Sequence, residues 1–384
     1  MLRIRFTAAL AGLVPVLALI GAAVPALARS AVPEGAAAPA HPRPTAHASR
    51  SAFRVAVSLH YGMPANASGY SVVVATGGRE AWIFGGTNPG GPSTPVAERW
   101  NGRTMTASAL PAGLTGFISD ASAPSATDIW AASEYGGYVL HWDGARWRLA
   151  MRWRGGIITG LTAVSASNVW VFGTTASGTH ETGTWHFNGR SWTRAAGSAA
   201  SIYRASAVSR HDIWAIAASP RADSILVYRG RTWRPVRTGR VLGGVTLHDV
   251  LALSDRSVWV VGDEVSAGSA RVVLAHWNGA RWRRIPTRMR AWAGRLARGP
   301  RGSVLITATP AAGAAAGLIL QATANGWRPA ITIRSELGSG VADVAMLRRT
   351  RSPLASGGIL TRSGGNAVIW MRRLGPAAHR PASE

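Results

Sequence analysis

Short apolar runs separated by Gly, Asn and Asp recur along most of the chain. In residues 128–147 a polar residue and a β-branched residue precede Trp130, and a second aromatic run, a Gly turn and the final Trp147 follow. The same order returns in residues 168–192, 212–233 and 257–282. Helices would place apolar residues every three or four positions, and these runs do not, so the pattern predicts repeated β-strands.

The tryptophans give the length of the repeat. Second-strand tryptophans fall 48, 40, 44 and 45 residues apart: Trp82, Trp130, Trp170, Trp214 and Trp259. Final tryptophans fall 45, 41, 49 and 45 residues apart: Trp147, Trp192, Trp233, Trp282 and Trp327. Four short strands and their turns fill such a period, which is the size of a β-propeller blade. Because a residue repeated in every blade usually packs between blades, we expect most of these indoles to be core.

We predict an all-β propeller of seven four-stranded blades, with six as the alternative because the last two repeats are weak. The blades cover about residues 70–111, 115–152, 157–196, 201–238, 245–287, 293–333 and 340–374. Asn-Gly and Asp-Gly pairs between aromatic strands, such as Asn188-Gly189, are typical of two-residue hairpin turns. The last blade lacks a fourth strand, and a lone alternating run at 53–59 precedes the first. We therefore expect this N-terminal strand to complete the last blade and remove an exposed edge.

The ends of the chain differ from the repeats. Residues 1–28 read as a secretory signal, with Arg3 and Arg5 before an apolar run and Ala26-Leu27-Ala28 as the cleavage pattern. Residues 29–51 are rich in Pro and Ala and predict a disordered spacer, 52–374 the propeller, and 375–384 a disordered tail. We expect a secreted, extracellular monomer without a transmembrane segment once the signal is cleaved. An uncleaved signal that stays as an anchor is the alternative.

All 42 basic residues are Arg, and loss of Arg3 and Arg5 with the signal leaves 40 Arg against 17 acids, a formal charge of +23. A charge of this size favours anionic partners by long-range attraction that salt weakens. The export signal argues against nucleic acid, and leaves an anionic cell-wall polymer, a glycan or another exported protein as partner. The alternative is that the arginines only decorate solvated loops.

Chemical signatures are few. The absence of Cys excludes disulfides, thiolate metal sites and Cys nucleophiles. No nucleophile elbow, zinc helix, phosphate-binding loop or dinucleotide fingerprint is present. His141, His186 and His276 share one repeat position in separate blades, so they do not converge on one metal ion. We expect no cofactor, no metal and no catalytic residue.

Candidate binding residues lie in the connections between blades. Trp153 and Trp292 stand there as two aromatic platforms for a sugar-like ligand, and neighbouring arginines suit its carboxylate or phosphate groups. These arginines are Arg152, Arg154, Arg237, Arg240, Arg288, Arg290 and Arg334. His248 and Asp249 start an inner strand, where they would face the central channel with Arg240 nearby. A solvated loop surface, and for the pair a structural hydrogen bond, is the alternative.

The first repeat resembles a kelch unit, because Gly85-Gly86 follows its second strand and an aromatic residue stands on the third. Across the other repeats the looser pattern D/N-x-W, then W-D/N-G-x-x-W, is similar to kelch-like and galactose-oxidase-like propellers of exported bacterial proteins. The resemblance implies a fold and no particular activity. We predict a secreted, non-catalytic binding module for an anionic polymer or glycan. A polysaccharide hydrolase or lyase working in the channel and a protein scaffold are the alternatives.

Overall fold

The computed structural model describes residues 53–59, 68–87, 92–153, 155–175, 183–195, 201–218, 223–266, 268–287, 289–310, 316–334, 338–347, 352–361 and 364–372. These residues form 28 β-strands and two short 3-10 helices, Gly239–Leu242 and Pro300–Gly302. The strands make seven sheets of four antiparallel strands each, which confirms the predicted seven-bladed propeller. The predicted signal 1–28, spacer 29–51 and tail 375–384 lie outside the described residues.

Each blade runs through four strands in chain order, and its first strand is the innermost. Blade 1 consists of β2 (Ser68–Ala75), β3 (Ala81–Thr87), β4 (Thr94–Trp100) and β5 (Met105–Ala107). Blade 2 consists of β6 (Ile118–Ser125), β7 (Asp128–Ser133), β8 (Tyr138–Trp142) and β9 (Trp147–Arg152). Blade 3 consists of β10 (Gly156–Ser165), β11 (Asn168–Thr175), β12 (Gly183–Phe187) and β13 (Trp192–Arg194).

The remaining blades repeat this plan. Blade 4 consists of β14 (Ser201–Ser209), β15 (Asp212–Ala218), β16 (Ser224–Tyr228) and β17 (Trp233–Val236). Blade 5 consists of β18 (Thr246–Ser254), β19 (Ser257–Ser266), β20 (Ser269–Trp277) and β21 (Trp282–Ile285). Blade 6 consists of β22 (Ala291–Arg298), β23 (Val304–Pro310), β24 (Ala316–Thr323) and β25 (Gly326–Arg334). Blade 7 consists of β26 (Gly338–Leu347), β27 (Ser352–Thr361), β28 (Gly364–Arg372) and the N-terminal β1 (Phe53–Leu59).

The ring is closed by the N-terminal strand, as the sequence predicted. Strand β1 pairs antiparallel with β28, with Phe53 opposite Arg372 and Leu59 opposite Ala367. Without β1, strand β28 would present a row of unpaired backbone N–H and C=O groups at the outer edge of blade 7. The two ends of the described chain are therefore joined within one sheet.

Indole rings pack the blades against one another. The second-strand Trp of one blade meets the final Trp of the next blade edge to face, with ring centroids 5.1 to 6.2 Å apart. The four pairs are Trp82 with Trp147, Trp130 with Trp192, Trp170 with Trp233, and Trp214 with Trp282. Such edge-to-face contacts are favourable beyond the area that they bury. The prediction that the repeated tryptophans are interblade core is confirmed.

Two polar positions of the repeat contact the packed indole rings. Asp128 accepts a hydrogen bond from the indole N–H of Trp130 at 2.8 Å, and Asn168 accepts one from Trp170 at 2.9 Å. The repeated histidine stacks on the same Trp within its own blade, for example His141 on Trp130 with centroids 4.1 Å apart. In these two blades the D/N-x-W pattern is thus a local hydrogen bond that orients the core indole.

The two ends of the propeller carry different connections. Because the strands are antiparallel, the loops between strands one and two and the turns between strands three and four meet at one end, which we call the turn face. The loops between strands two and three and the connections between blades meet at the other end, which we call the mouth face. In the described residues no helix is long and apolar enough to cross a membrane.

Deletion of residues 52–59 is expected to destabilise the whole ring, because it exposes the edge of β28. A loss of several kcal/mol would lower the melting temperature by roughly 10 °C, at ~2–4 °C per kcal/mol for a chain of this size. Thermal unfolding followed by circular dichroism measures it. Deletion of 29–51 is the matched control, and an equal melting temperature for both truncated chains would contradict the closure role.

Candidate functional site

Every inner strand has a bulge near its start, and the bulges ring the mouth face. The register shifts by one residue or more in β2, β6, β10, β14, β18, β22 and β26. A bulge turns an extra side chain out of the pleat. The last residue of the bulge in six of these strands, and the residue before it in β22, occupy an equivalent axial position, and the seven are Val72, Asp120, Gly160, Arg204, Asp249, Arg295 and Asp343.

The three aspartates of this ring bridge neighbouring blades in the same way. The Oδ1 atom of Asp249 accepts the backbone N–H of Val250 at 2.9 Å, and its Oδ2 atom accepts the N–H of Leu296 in blade 6 at 2.7 Å. Asp120 makes the corresponding bonds to Ala121 and Leu161, and Asp343 makes them to Val344 and Val73. Each carboxylate therefore ties the inner strand of its own blade to the next.

The two arginines of the ring lie among these carboxylates. Arg204 approaches Asp120 with a nitrogen–oxygen distance of 3.6 Å and donates to the carbonyl oxygens of Thr159 and Tyr203. Arg295 stands 3.9 Å from Asp120 and donates across the axis to the carbonyl of Ser119 at 3.1 Å. Both guanidinium groups are therefore held by main-chain oxygens as well as by charge.

Burial perturbs the protonation of this cluster. Desolvation raises the pKa of Asp343 to about 7 despite the opposing charge of Arg295, and it also raises the pKa of Asp249. The pKa of Arg204 is lowered by burial and then by the charge of Arg295. For Arg295 burial acts downward, but the surrounding carboxylates outweigh it and raise the pKa. The cluster thus holds its arginines charged and favours protonation of part of its carboxylates.

The loop between β7 and β8 covers the mouth. Burial raises the pKa of Glu134, which lies within the field of Arg204 and Arg295. The neighbouring Tyr135 is 74% exposed and is the one aromatic side chain among the large exposed hydrophobic residues of the described chain. Tyr135 therefore marks the solvent side of the charged ring.

His248 has a different partner from the one that its sequence neighbour suggested. Its Nε2 atom lies 2.7 Å from Oδ2 of Asp263, the last buried residue before the β19–β20 loop. Asp249 instead serves the axial ring, because adjacent residues on a strand leave it in different directions. The Oδ1 atom of Asp263 accepts the N–H of Ala293 in blade 6 at 2.9 Å. His248 is thus tied to the interface of blades 5 and 6.

A second polar pair lies one blade away. The hydroxyl of Tyr203 donates to the carbonyl oxygen of Leu247 at 2.8 Å, and Asp223 accepts the N–H of Leu247 at 2.7 Å. Burial and the nearby charge of Asp223 raise the pKa of Tyr203. Tyr203 and Asp223 therefore tie blade 4 to blade 5, and the phenol stays protonated.

The structure does not gather the predicted arginines at the axis. Arg152, Arg237, Arg240 and Arg290 are all exposed on the mouth face, and the axial positions themselves hold Arg204 and Arg295. Arg154 and Arg288 lie outside the described residues, as does the side chain of Arg334. A role of the exposed arginines in ligand binding stays a prediction.

The two predicted aromatic platforms are both half-buried. The ring of Trp153 lies over glycines of blade 3, and a Cβ atom added at Gly156 or Gly173 would stand 2.6 or 2.7 Å from it. Its other neighbour is Trp185, edge to face at 6.1 Å. Trp292 belongs to β22, opposite Thr309 of β23. Trp153 thus packs on the sheet in this structure, and ligand contact by either ring stays a prediction.

Sequence reasoning missed most of the axial ring. The missed residues are Asp120, Arg204, Arg295 and Asp343. Each is a charged residue among apolar or small residues of a predicted inner strand, and this pattern could have identified them. Aligning the seven inner strands on their bulges would have placed these residues in one column. In the described residues no group of three or more His, Asp or Glu side chains is arranged to hold a metal ion.

Comparison with known proteins shows the fold and no family. No family model matches the chain, and no curated protein sequence matches it. A structure of YCF48 bound to D1 peptide is similar, with a TM-score of 0.55, 15% identity, and coverage of 86% of this chain and 97% of that one. The WD40 repeats of RRP9 match with a TM-score of 0.56 and 12% identity, over 84% and 98% of the two chains.

An enzyme stands among the similar structures as well. A catalytically inactive virginiamycin B lyase from Staphylococcus aureus, with quinupristin, matches with a TM-score of 0.56 and 10% identity, over 84% of this chain and 99% of that one. Propellers of this kind therefore include peptide binders and an enzyme. Such low identities show a shared propeller fold, and fold does not imply function. The kelch-like character of the repeat stays a prediction.

The raised pKa of Asp343 makes stability depend on pH. Its folded-state pKa of about 7 lies above the ordinary unfolded value of about 3.9. The folded state therefore binds more protons between these values, and stability falls as the pH rises through about 7. We expect the melting temperature to drop between pH 5.5 and 8.5, and Asp343→Asn to remove a large part of that drop.

Differential scanning calorimetry of both proteins at each pH measures the effect. The exposed Asp255 provides the control variant Asp255→Asn, which should keep the pH dependence of the wild type. A drop of equal size in Asp343→Asn would mean that the axial carboxyl does not titrate in this range. The absolute melting temperature of that variant is not the test, because the amide also loses a hydrogen-bond acceptor.

Proposed function

We propose that the chain is a secreted, non-catalytic binding module whose partner is an anionic polymer outside the cytoplasm. The observation that carries the proposal is the separation of charge between interior and surface. Of the carboxylates that the structure describes, only Asp255 is exposed. Exposed arginines occur in each of blades 1 to 6. The surface therefore presents cationic groups with few neighbouring anions, which favours attraction of a polyanion.

Many of the carboxylates lie inside the protein because they accept hydrogen bonds that the fold requires. Asp120, Asp249 and Asp343 accept main-chain N–H groups at the axis, and Asp128 accepts the indole N–H of Trp130. Glu98 is buried, and Asp212 is buried at the start of β15. Each is committed to the interior, so few carboxylates remain to neutralise the arginines outside.

The hydrogen bonds of the axial ring argue against a catalytic role for it. Its carboxylates already accept backbone hydrogen bonds, and its arginines donate to backbone carbonyls. A general base needs a lone pair directed at the substrate. The groups at the axis are engaged within the protein, which favours a structural role for them.

The alternative of a channel hydrolase or lyase rests on one pair. His248 is 20% exposed in its side chain, and its Nε2 atom is held by Asp263, which is 1% exposed. A buried carboxylate that orients a partly exposed imidazole is the arrangement of a general base. The other proposal, a protein scaffold, has less support, because the exposed large hydrophobic residues Tyr135, Leu149, Val208 and Val265 lie on separate blades or elements.

Binding of the 29–384 chain to an anionic polymer should be saturable and should weaken as salt rises. Poly(glycerol phosphate) is the probe and neutral dextran the control, with affinity measured by isothermal titration calorimetry at several salt concentrations. We expect a loss of about tenfold or more between 50 and 200 mM salt, since several cation–phosphate contacts give such a slope. No binding to the anionic probe would refute the proposed function.

The enzyme alternative has a separate test. Incubation with acidic polysaccharides should release no new reducing ends or unsaturated products, and His248→Ala should bind poly(glycerol phosphate) like the wild type. Release of products by the wild type that disappears in His248→Ala would establish the catalytic alternative instead. His248→Asn, which can still pair with Asp263, controls for loss of folding.

A further inference from the structure

The turns between strands three and four carry an Arg at one of two adjacent positions in five successive blades. In each turn the Arg follows the first turn residue by two or three positions and is exposed. The five are Arg103, Arg146, Arg190, Arg231 and Arg281. The blades succeed one another around the axis, so these side chains form an arc on the turn face, which we call the turn-arginine arc.

The turn itself fixes these residues. The side-chain oxygen of Asn188 accepts the N–H of Arg190 at 2.9 Å, and Gly189 takes a positive φ of 94° that favours glycine. The same side-chain bond holds Arg103, Arg146 and Arg281 at 2.9 to 3.0 Å. The backbone at four of the five positions is therefore anchored, and each guanidinium extends from a rigid hairpin into solvent.

Arginines in the adjacent loops add positive charge beside the arc. The stem of Arg256 lies on the blade 5 turn, since a Cβ atom at Gly279 would stand 2.8 Å from its Cγ atom. Arg79 lies in the same way beside Gly102 in blade 1. In blade 4 the loop residue Arg210 adds another exposed guanidinium on this face. In blades 1, 4 and 5 an arginine of the loop between strands one and two therefore lies beside the turn-arginine arc.

Few carboxylates lie on the turn face, and most of these are engaged by groups other than the arc arginines. Asp143 accepts the backbone of its own turn and pairs with Arg148 at 2.6 Å, and Asp212 pairs with Arg229. Asp255 is exposed there, and Glu80, whose side chain is 37% exposed, pairs with Arg99 at 3.0 Å. None of the five arc residues takes part in a described ion pair. The arc is therefore available to an external anion.

The partner's chemistry follows from the residue types. Guanidinium forks match the oxygens of phosphate groups, and a curved row of them suits phosphates repeated along one chain. Binding of single-stranded nucleic acid uses exposed aromatic rings on which bases stack. The one exposed Tyr, Trp or Phe of the described chain, Tyr135, is 74% exposed and lies on the mouth face. The turn face therefore fits a polymer recognised through its phosphates alone.

We propose that the turn-arginine arc is the docking surface for a phosphodiester polymer without bases. The proposal rests on the proposed function and assigns it to a face. It differs from the sequence prediction, which placed the site among the arginines between blades. A rigid arc engages several phosphates of one chain at once, so affinity depends on polymer length.

Charge-matched variants test the assignment. The arc variant carries Arg103→Gln, Arg146→Gln, Arg190→Gln, Arg231→Gln and Arg281→Gln. A rim variant of equal formal charge carries Arg99→Gln, Arg234→Gln, Arg271→Gln, Arg283→Gln and Arg328→Gln, all exposed on the sheets. A mouth variant carries Arg152→Gln, Arg237→Gln, Arg240→Gln and Arg290→Gln. Each is titrated with poly(glycerol phosphate) after its melting temperature is shown to match the wild type.

We expect the arc variant to bind at least about tenfold more weakly and to lose up to roughly 3.5–4.5 units of the log–log salt slope, at ~0.7–0.9 per phosphate contact. The rim variant should keep most of both. Equal losses in the arc and rim variants would show that net charge alone acts, which overturns the arc and leaves the proposed function standing. Selective loss in the mouth variant would overturn the arc in favour of the sequence-predicted site.

Two further probes separate the partner classes. Single-stranded RNA or vesicles of phosphatidylglycerol that bind more tightly than poly(glycerol phosphate), with the same dependence on the arc, would overturn the polymer assignment. A wild-type chain that binds none of the probes would overturn the proposed function together with the arc. Short glycerol phosphate oligomers should bind more weakly than long ones if several arginines act together.

Discussion

The edge-to-face contact between indole rings of successive blades is the constraint on which the ring depends. Trp130 is 1% exposed, and its edge-to-face partner Trp192 belongs to the next blade. At the four interfaces from blade 1 to blade 5, this contact fixes the angle between the sheets as well as their spacing. In blades 2 and 3 the polar residue two positions before the Trp accepts its indole N–H, and in blade 2 the stacked His lies on the same ring, so both orient it. Much of the repeat's sequence therefore encodes one contact, which is why it specifies fold so strongly and function so weakly.

The same ring geometry creates the charged axis. Seven inner strands surround the axis, so side chains that the bulges turn inward approach those of other blades, as Arg204 and Arg295 approach Asp120. Apolar residues of full size would crowd there, and main-chain N–H groups freed by the bulges need acceptors. The carboxylates of Asp120, Asp249 and Asp343 supply those acceptors, and Arg204 and Arg295 offset their charge. Polar residues at the axis are thus explained by packing and hydrogen bonding before any ligand is considered.

The features that the sequence predicted correctly depend on residues close together in the chain, and the features that it missed depend on residues far apart in it. Blade number, the positions of the hairpins and the closing strand depend on local periodicity and on strand counting, and all three are confirmed. The turn type differs from the expected two-residue turn, because the blade 1 turn spans 101–104 and Gly102 alone in it has a positive φ. The partner of His248 and the axial ring depend on which blades face each other across a bulge, and no spacing in the chain shows that. Asp249 was expected beside His248, yet a pleated strand sends neighbours to different sides. Arg295 and Ser119 meet across the axis although 176 residues separate them.

The distribution of charge is more informative than its total. The formal charge of the chain without residues 1–28 counts 17 acids against the arginines, yet the described acids lie mostly inside, where they hold backbone and indole groups. An anion outside the protein therefore meets a surface more cationic than the net charge suggests. Since the acids are required by the bulges and by the D/N-x-W contact, the fold itself determines that they are withdrawn. The arginines are under no such requirement, because the hairpin turns need only Asn or Asp and Gly. Their recurrence at the tips of five blades is accordingly the feature of this chain that folding does not explain.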